Sequence, residues 1–255
     1  MKLGVSYNLF DGEELLKSSI LSIRDNVDFI SVVFQTESNC GNSGNPEVTK
    51  LLNDLEKERL IDLVVHYTPD LGKSPSDNEI IKRNIGLDLS REYKCTHHLS
   101  MDADEFYDKE DFEVAKIEIE AGNYNSSACR LLTYYKNNRT VLDPMEDYYV
   151  SFIYKIHKEV NYSRIPFPVL VDPTRRMPAG KLKVYDTFDL VMHHFSYVRN
   201  NLKLKLENSS AKENWDEEMA GKVIHYFNQW QPGMDALTGP HTFYPTKQIE
   251  PKFKI

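Results

Sequence analysis

Cysteine is scarce in this chain of 255 residues. Only three thiols occur, Cys40, Cys95 and Cys129, and no two of them stand at the spacing of a zinc finger. Three scattered cysteines are too few for a disulfide framework, so we expect reduced thiols and a cytoplasmic location. Residues 1–7 lack the apolar core and small-residue cleavage site of a signal peptide, and they predict a first strand instead.

Long apolar runs and an excess of positive charge are also lacking. No run approaches the roughly 20 apolar residues that cross a bilayer, so we expect no transmembrane segment. The formal net charge of -8 disfavours binding to nucleic acid, because such binding needs a basic surface. Any anionic ligand must therefore be held by a local basic cluster. With 40% hydrophobic and 27% charged residues, the chain predicts one globular domain.

The first half of the chain alternates strands and helices, which predicts a mostly parallel, Rossmann-like α/β sheet flanked by helices. Predicted helices begin at Asp11, with Glu14 completing a capping box, at Pro46, and at Ser76 or Asp77. The predicted strands are residues 2–7, 29–34, 60–67 and 95–101. Ligands bind at the carboxyl ends of parallel strands, so the residues that follow these strands are candidates for a site.

After residue 107 the pattern changes. A helix is predicted at residues 108–121, followed by strands that we expect to be mixed or antiparallel. These strands are residues 128–135, 149–157, 165–171 and 187–192. Two polar helices around residues 197–208 and 215–229 follow, and the tail from Gln231, rich in proline and glycine, predicts coil.

An acidic motif ends the fourth predicted strand. Asp102, Asp104 and Glu105 stand within four positions, and such close carboxylates raise one another's pKa unless a cation or hydrogen bonds hold them ionised. Mg²⁺ and Mn²⁺ bind carboxylate oxygens and complete their shell with water and substrate phosphates. The motif therefore predicts a metal shared with a phosphorylated substrate. The alternative is an acidic turn that caps the next helix, since Asp108 and Glu110 continue the charge.

Four segments resemble, in the same order, the GT-A-fold nucleotide-sugar glycosyltransferases, especially the family-2-like group. They are residues 5–8 with Glu13 and Glu14, residues 82–86, the DxD-containing residues 99–106, and the His-containing residues 194–199. The resemblance implies a GT-A catalytic domain over residues 1–205, with a nucleotide-sugar half to about residue 107 and an acceptor half from residue 108. Residues 206–255 are expected to form a helical and coil extension.

The resemblance also implies a bound Mn²⁺ or Mg²⁺. Asp104 would bind the ion directly, and Asp102 would bind the donor's ribose or a metal-bound water. His194 would complete the protein's ligands, which favours Mn²⁺ because imidazole is a poorer ligand for Mg²⁺. His193 is its rival, and since neighbours in a strand point to opposite faces, we expect only one of the two at the metal. The alternative for each is a hydrogen-bonded, partly buried histidine.

The donor is expected to meet residues from two segments. Lys82 and Arg83 would bind the diphosphate or hold the acidic loop. The alternative is a helical ion pair of Glu79 with Lys82 or Arg83. Tyr7 and Asn8, at the end of the first strand, would stack on and hydrogen-bond a base, or else belong to the core.

A second basic cluster lies near the predicted metal-binding histidine. It consists of Arg199, Lys203 and Lys205, and a solvated helix face is the alternative for the two lysines. Residues 172–176 predict a turn or an acceptor contact, and their two arginines could steer an anionic acceptor.

An inverting enzyme needs a carboxylate that accepts the proton of the acceptor hydroxyl. Residues 144–148 resemble the acidic pair of family-2 enzymes, with Asp147 as the base. Asp189 is its competitor, and Glu105 would orient neighbouring groups or the acceptor. A retaining enzyme would need no such base.

The sequence thus predicts a metal-dependent glycosyltransferase that moves a sugar from a nucleoside diphosphate sugar, with UDP favoured, to a hydroxyl acceptor in glycan or polysaccharide synthesis. Two alternatives stay open. A metal-dependent nucleotidyltransferase is less favoured, because the first strand leads into residues 7–11 without a glycine-rich phosphate loop. The other alternative is a non-catalytic module that binds sugars or nucleotides.

Overall fold

The computed structural model describes residues 1–208, 217–239 and 241–255. Its first half contains four strands, β1 (Leu3–Leu9), β2 (Phe29–Phe34), β3 (Leu63–His66) and β4 (His97–Asp102). They pair in parallel in the spatial order β4, β1, β2, β3, so the predicted α/β arrangement is confirmed. All six residues of β2 are buried, as expected for a parallel strand covered on both faces.

Three helices connect these strands: α1 (Glu13–Ile23), α2 (Val48–Lys57) and α3 (Pro75–Glu92). The predicted capping box at Asp11 is wrong, because α1 begins after Gly12, whose φ of 76° is left-handed, and has no side-chain cap. Ser74 caps α3 through a hydrogen bond from the Asp77 backbone N–H at 3.2 Å. This start precedes the predicted one because Pro75 suits the first helical position.

A close approach fixes α3 on the sheet. A Cβ on Gly86 would lie 2.1 Å from the Ser6 Oγ of β1, so only glycine fits without a shift. One turn earlier, α3 carries Lys82 and Arg83, which are both buried. The close packing brings them to the carboxyl ends of β1 and β4, where Lys82 donates to the Leu9 carbonyl at 2.9 Å.

The second half adds β5 (Glu105–Phe106), α4 (Lys109–Ala121), β6 (Ser126–Tyr135), β7 (Thr140–Leu142), β8 (Tyr149–Lys155), β9 (Leu182–Val184) and β10 (Val191–Tyr197). β8 pairs antiparallel with both β4 and β6, whereas β10 runs parallel to β6 and antiparallel to β5. The sheet is therefore mixed, as predicted. In β10, His194 stands opposite Glu105 of β5, which brings this histidine to the acidic segment.

Two predicted strands of the second half differ from the structure. Residues 165–170 form no strand, because Pro166 and Pro168 interrupt the backbone donors, and only Val171 makes an isolated bridge. The strand predicted at residues 187–192 begins only at Val191, since residues 187–189 form a turn whose Phe188 N–H binds the Asp186 carboxylate at 3.0 Å.

The C-terminal part contains α5 (Leu202–Asn208), α6 (Glu217–Gln229), β11 (Ala236–Gly239), β12 (Thr242–Tyr244) and β13 (Thr246–Gln248). The predicted coil tail is wrong: β11 pairs with β12, and β13 joins the main sheet antiparallel to β7. The predicted boundary at residue 205 falls inside α5, and the predicted helix start at Trp215 lies outside the described residues. No described helix is long and apolar enough to cross a membrane.

Candidate functional site

A buried arginine from a distant turn holds the acidic strand end. Arg175 lies in a short 3-10 turn (Pro173–Arg175), and it donates to Asp102 and to both oxygens of Glu105, at 3.0 Å to Oε2 and 2.5 Å to Oε1. Arg83 donates to Asp102 Oδ1 at 3.3 Å and to Glu79 at 2.5 Å. Arg83 therefore holds the acidic strand end and also forms the helical ion pair with Glu79. The sequence predicted a turn or an acceptor contact for Arg175, and its pairing with Glu105 was missed because 70 residues separate the two.

These arginines decide the charge of Asp102. Burial alone would raise the pKa of Asp102, but the attraction of Arg175 and Arg83 outweighs burial and lowers it to about 2. The pKa of Glu105 is raised, because burial and the nearby Asp102 outweigh the effect of Arg175. Asp102 is thus the more firmly ionised of the two groups.

Asp104 faces a separate cationic group. Its Oδ2 accepts from Arg199 Nη2 at 2.5 Å and from Lys205 Nζ at 3.2 Å, and it lies 3.6 Å from His194 Nε2. Burial opposes ionisation, but Lys205 and Arg199 hold the pKa of Asp104 well below its usual range. Asp104 is therefore a charged carboxylate at neutral pH.

The two neighbouring histidines point to different surroundings. His194 is about a quarter exposed and faces Asp104, whereas His193 is buried against Tyr134, whose hydroxyl lies 3.0 Å from its Nδ1, and against the ring of Phe253. Burial lowers the pKa of His193 to about 3. The structure thus brings His194 to the acidic motif and places His193 in the core.

A cavity of about 210 Å³, here called the strand-end cavity, opens at the carboxyl ends of β1 and β4. Its lining includes the acidic residues Asp11, Glu79, Asp102, Asp104 and Asp172, the basic residues Lys82, Arg199 and Lys205, and also His194. Lys82 donates to Gln35 Oε1 at 3.0 Å, and burial lowers the pKa of Lys82 to about 8. Five of the predicted charged residues therefore meet in one cavity, namely Asp102, Asp104, Lys82, Arg199 and Lys205. Its described lining does not include Glu105, Arg83 or Lys203.

The predicted base-binding pair divides between core and cavity. Tyr7 is fully buried, with its hydroxyl 3.0 Å from the Ser19 Oγ, so it belongs to the core. Asn8 lines the strand-end cavity and donates from Nδ2 to Ser100 at 2.9 Å. Phe10, which sequence reasoning missed, supplies the aromatic ring that lines this cavity. The alternation of side chains along β1 was the signal that could have separated Tyr7 from Asn8.

A second cavity, of about 470 Å³ and here called the tyrosine cavity, lies beside the first. Its described lining is Leu131, Thr133, Glu146, Asp147, Tyr148, His194, Ser196, Tyr197 and Tyr244. His194 lines both cavities, so they meet at this imidazole.

The two predicted catalytic aspartates lie in different places. Asp147 lines the tyrosine cavity, but its side chain is 94% exposed and pairs with Arg130 at 3.2 Å. Asp189 is exposed in the turn before β10, and it does not appear in the described lining of either cavity. The structure therefore brings Asp147, and not Asp189, near His194.

The donor atoms fit a divalent ion that completes its shell with water and phosphate. Within residues 1–208, 217–239 and 241–255, no three His, Cys, Asp or Glu side chains are grouped to hold a metal by themselves. Asp104 Oδ2 and His194 Nε2, 3.6 Å apart, supply a carboxylate and an imidazole.

The fold of this chain is similar to that of solved structures with which it shares little sequence identity. The S. aureus TarS fragment 1–349 matches with a TM-score of 0.50 and 13% identity, over 89% of this chain and 71% of that one. The same fragment in complex with UDP or UDP-GlcNAc matches with a TM-score of 0.41 and 15% identity, over 54% of this chain. In those two alignments the chain spans only 37% and 36% of the fragment.

No protein-family model matches the sequence, and no curated protein matches it. TarS is a GT-A-type glycosyltransferase. The likeness to the unliganded fragment, taken with the mixed and largely parallel sheet, shows that this chain has the predicted GT-A-type fold.

Proposed function

We propose that this protein is a glycosyltransferase that moves a sugar from a nucleoside diphosphate sugar to a hydroxyl group, as in glycan or polysaccharide synthesis. One observation carries the proposal: Asp104 and His194 meet in a cavity with three basic side chains, and His194 also lines a neighbouring cavity. Two adjoining cavities at the carboxyl edge of the sheet suit a reaction between two substrates.

The first cavity is suited to the donor. Lys82, Arg199 and Lys205 bind the diphosphate oxygens, and Asn8 and Phe10 contact the nucleoside. Arg199 has two guanidinium nitrogens, Nε and Nη1, that are buried without a hydrogen-bond partner among the described residues. Buried donors of this kind are costly to leave unpaired, which supports an anionic ligand at this position.

Asp104 and His194 hold a divalent cation, with Mn²⁺ favoured over Mg²⁺ because of the imidazole. When bound, this ion supplies Lewis-acid stabilisation of the charge on the departing diphosphate. Asp102 is kept ionised by Arg175 and Arg83, and it binds the donor's ribose or an ordered water. Arg199 and Lys205 pair with Asp104 in this structure, so the group that binds the metal and the groups that bind the phosphates adjoin one another.

Two other functions have less support. Nucleotidyl transfer would require the residues after β1 to hold a triphosphate, and residues 10–12 contain a single glycine, Gly12. A binding module without catalysis would not need a second cavity that shares His194. A cytoplasmic location stays a prediction from the sequence.

A thermal-shift and turnover experiment separates the three functions. UDP is tested first, because the S. aureus TarS fragment has been solved with UDP and with UDP-GlcNAc. A glycosyltransferase is stabilised by a UDP-sugar together with Mn²⁺, and it slowly hydrolyses that donor without acceptor. Release of pyrophosphate from a nucleoside triphosphate supports nucleotidyl transfer, and stabilisation without any turnover supports a binding module.

A further inference from the structure

The tyrosine cavity is lined by both carboxylates and aromatic side chains. Glu146 and Asp147 contribute carboxylates, and Tyr148, Tyr197 and Tyr244 contribute aromatic side chains, whereas no lysine or arginine lies in its described lining. A phosphate or carboxylate placed there would meet two carboxylates of like charge. Aromatic faces with a few polar groups instead suit a molecule that combines an apolar ring face with hydroxyl groups.

Glu146 is fixed beside His194. The Thr133 hydroxyl donates to Glu146 Oε2 at 2.6 Å, and Thr133 is the register partner of His194 across the parallel strands β6 and β10. Register partners on neighbouring strands direct their side chains to the same face of the sheet. The Glu146 carboxylate is therefore anchored on the face where the two cavities meet.

Tyr197 lines the same cavity as Glu146 and His194. Burial raises the pKa of Tyr197, and the negative charge of Glu146 raises it further. Tyr197 belongs to β10, three residues after His194, and its hydroxyl donates to the Thr238 carbonyl at 2.8 Å. Glu146 and Tyr197 therefore border the cavity together with His194.

The neighbouring carboxylate, that of Asp147, forms an ion pair with an arginine. Asp147 pairs with Arg130, which also donates to the Glu146 backbone carbonyl at 2.7 Å, and the Asp147 side chain is 94% exposed. The arginines predicted to steer an anionic acceptor are engaged as well. Arg175 is buried on Glu105 and Asp102, and Arg176 donates to the Val171 carbonyl at 2.7 Å.

We propose that the tyrosine cavity binds an uncharged carbohydrate as the acceptor, and that Glu146, rather than Asp147, removes the proton from its reacting hydroxyl. This inference rests on the proposed function. The acceptor oxygen forms a bond to the anomeric carbon of the donor sugar, and its proton passes to the Glu146 carboxylate. The bond between the anomeric carbon and the diphosphate breaks, and its electron pair leaves with the diphosphate oxygen.

An acceptor panel tests the proposed class. The full chain is given a radiolabelled UDP-sugar that it hydrolyses with Mn²⁺, together with neutral oligosaccharides and the same oligosaccharides carrying a phosphate or a uronic acid. Label is expected on neutral sugars, with at least tenfold lower transfer to the charged counterparts. Preferred transfer to charged acceptors overturns the inference, as does donor hydrolysis without transfer to or binding of any neutral sugar. If no donor is bound or hydrolysed, the proposed function itself fails.

Two variants test the role of Glu146. Glu146→Gln should reduce transfer by about 100-fold or more, as expected for loss of a general base, while donor hydrolysis and the Mn²⁺-dependent thermal shift persist. Asp147→Asn should lose far less, and Glu159→Gln, which removes an exposed carboxylate outside both described cavity linings, is the unchanged control. A larger loss with Asp147→Asn than with Glu146→Gln returns the base to Asp147. Equal loss of transfer and hydrolysis in Glu146→Gln contradicts a role limited to the acceptor.

Discussion

Arg175 donates to both carboxylate oxygens of Glu105, from Nη1 to Oε2 at 3.0 Å and from Nη2 to Oε1 at 2.5 Å. This two-point contact is the geometry that makes arginine hard to replace by lysine. It ties a turn of the second half of the chain to the acidic strand end of the first half. The segment that sequence reasoning treated as a turn or an acceptor contact is therefore part of the support of the site.

Arg175→Met should lower the free energy of unfolding by about 3–5 kcal/mol, because Glu105 would stay buried without its counter-charge, whereas Asp102 keeps Arg83. Urea denaturation followed by circular dichroism measures the change. Arg139→Met is the control, since its pair with Glu250 is long at 3.7 Å and both side chains are largely exposed, so little change is expected. Similar values for the two variants would argue against a structural role for the buried cluster.

His194→Ala and His193→Ala should affect different properties, the first metal affinity and the second stability. Loss of His194 removes a proposed metal ligand, so Mn²⁺ affinity in the presence of UDP should fall at least tenfold with little change in melting temperature. Loss of His193 leaves a hole beside Tyr134 and Phe253, so its main effect should be on the melting temperature. Isothermal titration and a thermal melt of each variant give the comparison. A greater loss of Mn²⁺ affinity with His193→Ala would falsify the ligand assignment.

The buried Lys82 should make both the affinity for UDP and the free energy of unfolding depend on pH. Burial lowers its pKa from 10.5 to about 8, so its charge is lost in the folded protein as the pH rises through about 8. Affinity for UDP should therefore fall over this range, because a phosphate contact loses its cation. Between pH 8 and 10.5 the unfolded chain holds the extra proton, so the contribution of Lys82 to the free energy of unfolding rises with pH.

Lys82→Met should remove both effects, whereas Lys203→Met, on the exposed face of α5, should keep them. Titrations with UDP at pH 7, 8 and 9 test the first effect, and urea denaturation above pH 8 tests the second. An unaltered pH profile in Lys82→Met would exclude Lys82 as its source.

Gly86→Ala should destabilise the protein by about 1–3 kcal/mol and weaken nucleotide binding, since a Cβ there meets Ser6 Oγ at 2.1 Å and α3 must move. Gly221→Ala in α6 is the matched control. A Cβ at Gly221 meets no described atom within 4 Å, and alanine should stabilise the helix by about 0.5–1 kcal/mol. Denaturation and UDP titration of both variants measure the difference. If the two glycines respond alike, the close approach of α3 does not position Lys82.

The parts of the fold that follow from local pattern were predictable. β2 was predicted with its observed bounds, because six consecutive buried residues are a strong signal. The acidic motif was predicted at the strand end because Asp102 ends β4, and Asp104 and Glu105 follow it closely in sequence. The strands β11 to β13 have only three or four residues each, and they were missed in part because such short segments carry little periodicity. Prolines make the apolar residues 165–171 irregular.

The parts of the site that depend on long-range packing were not predictable from the sequence. Neither the pairing of Arg175 with Glu105 nor the meeting of Thr133 with Glu146 has a local signal. Tyr7 was expected to share a ligand with Asn8, but neighbours in a strand face opposite sides of the sheet. Asp147 and Glu146 are adjacent in sequence, and long-range contacts distinguish them, since Glu146 accepts from Thr133 and Asp147 pairs with Arg130.

The strand β13 covers the edge of the main sheet that β7 would otherwise expose. β7 is a fully buried Thr-Val-Leu segment, and its pairing with β13 presents Lys247 and Gln248 at the rim instead. Unpaired apolar rims recruit strands from other copies, whereas short rims that carry lysine resist such recruitment. A chain shortened before Thr246 should therefore self-associate through β7.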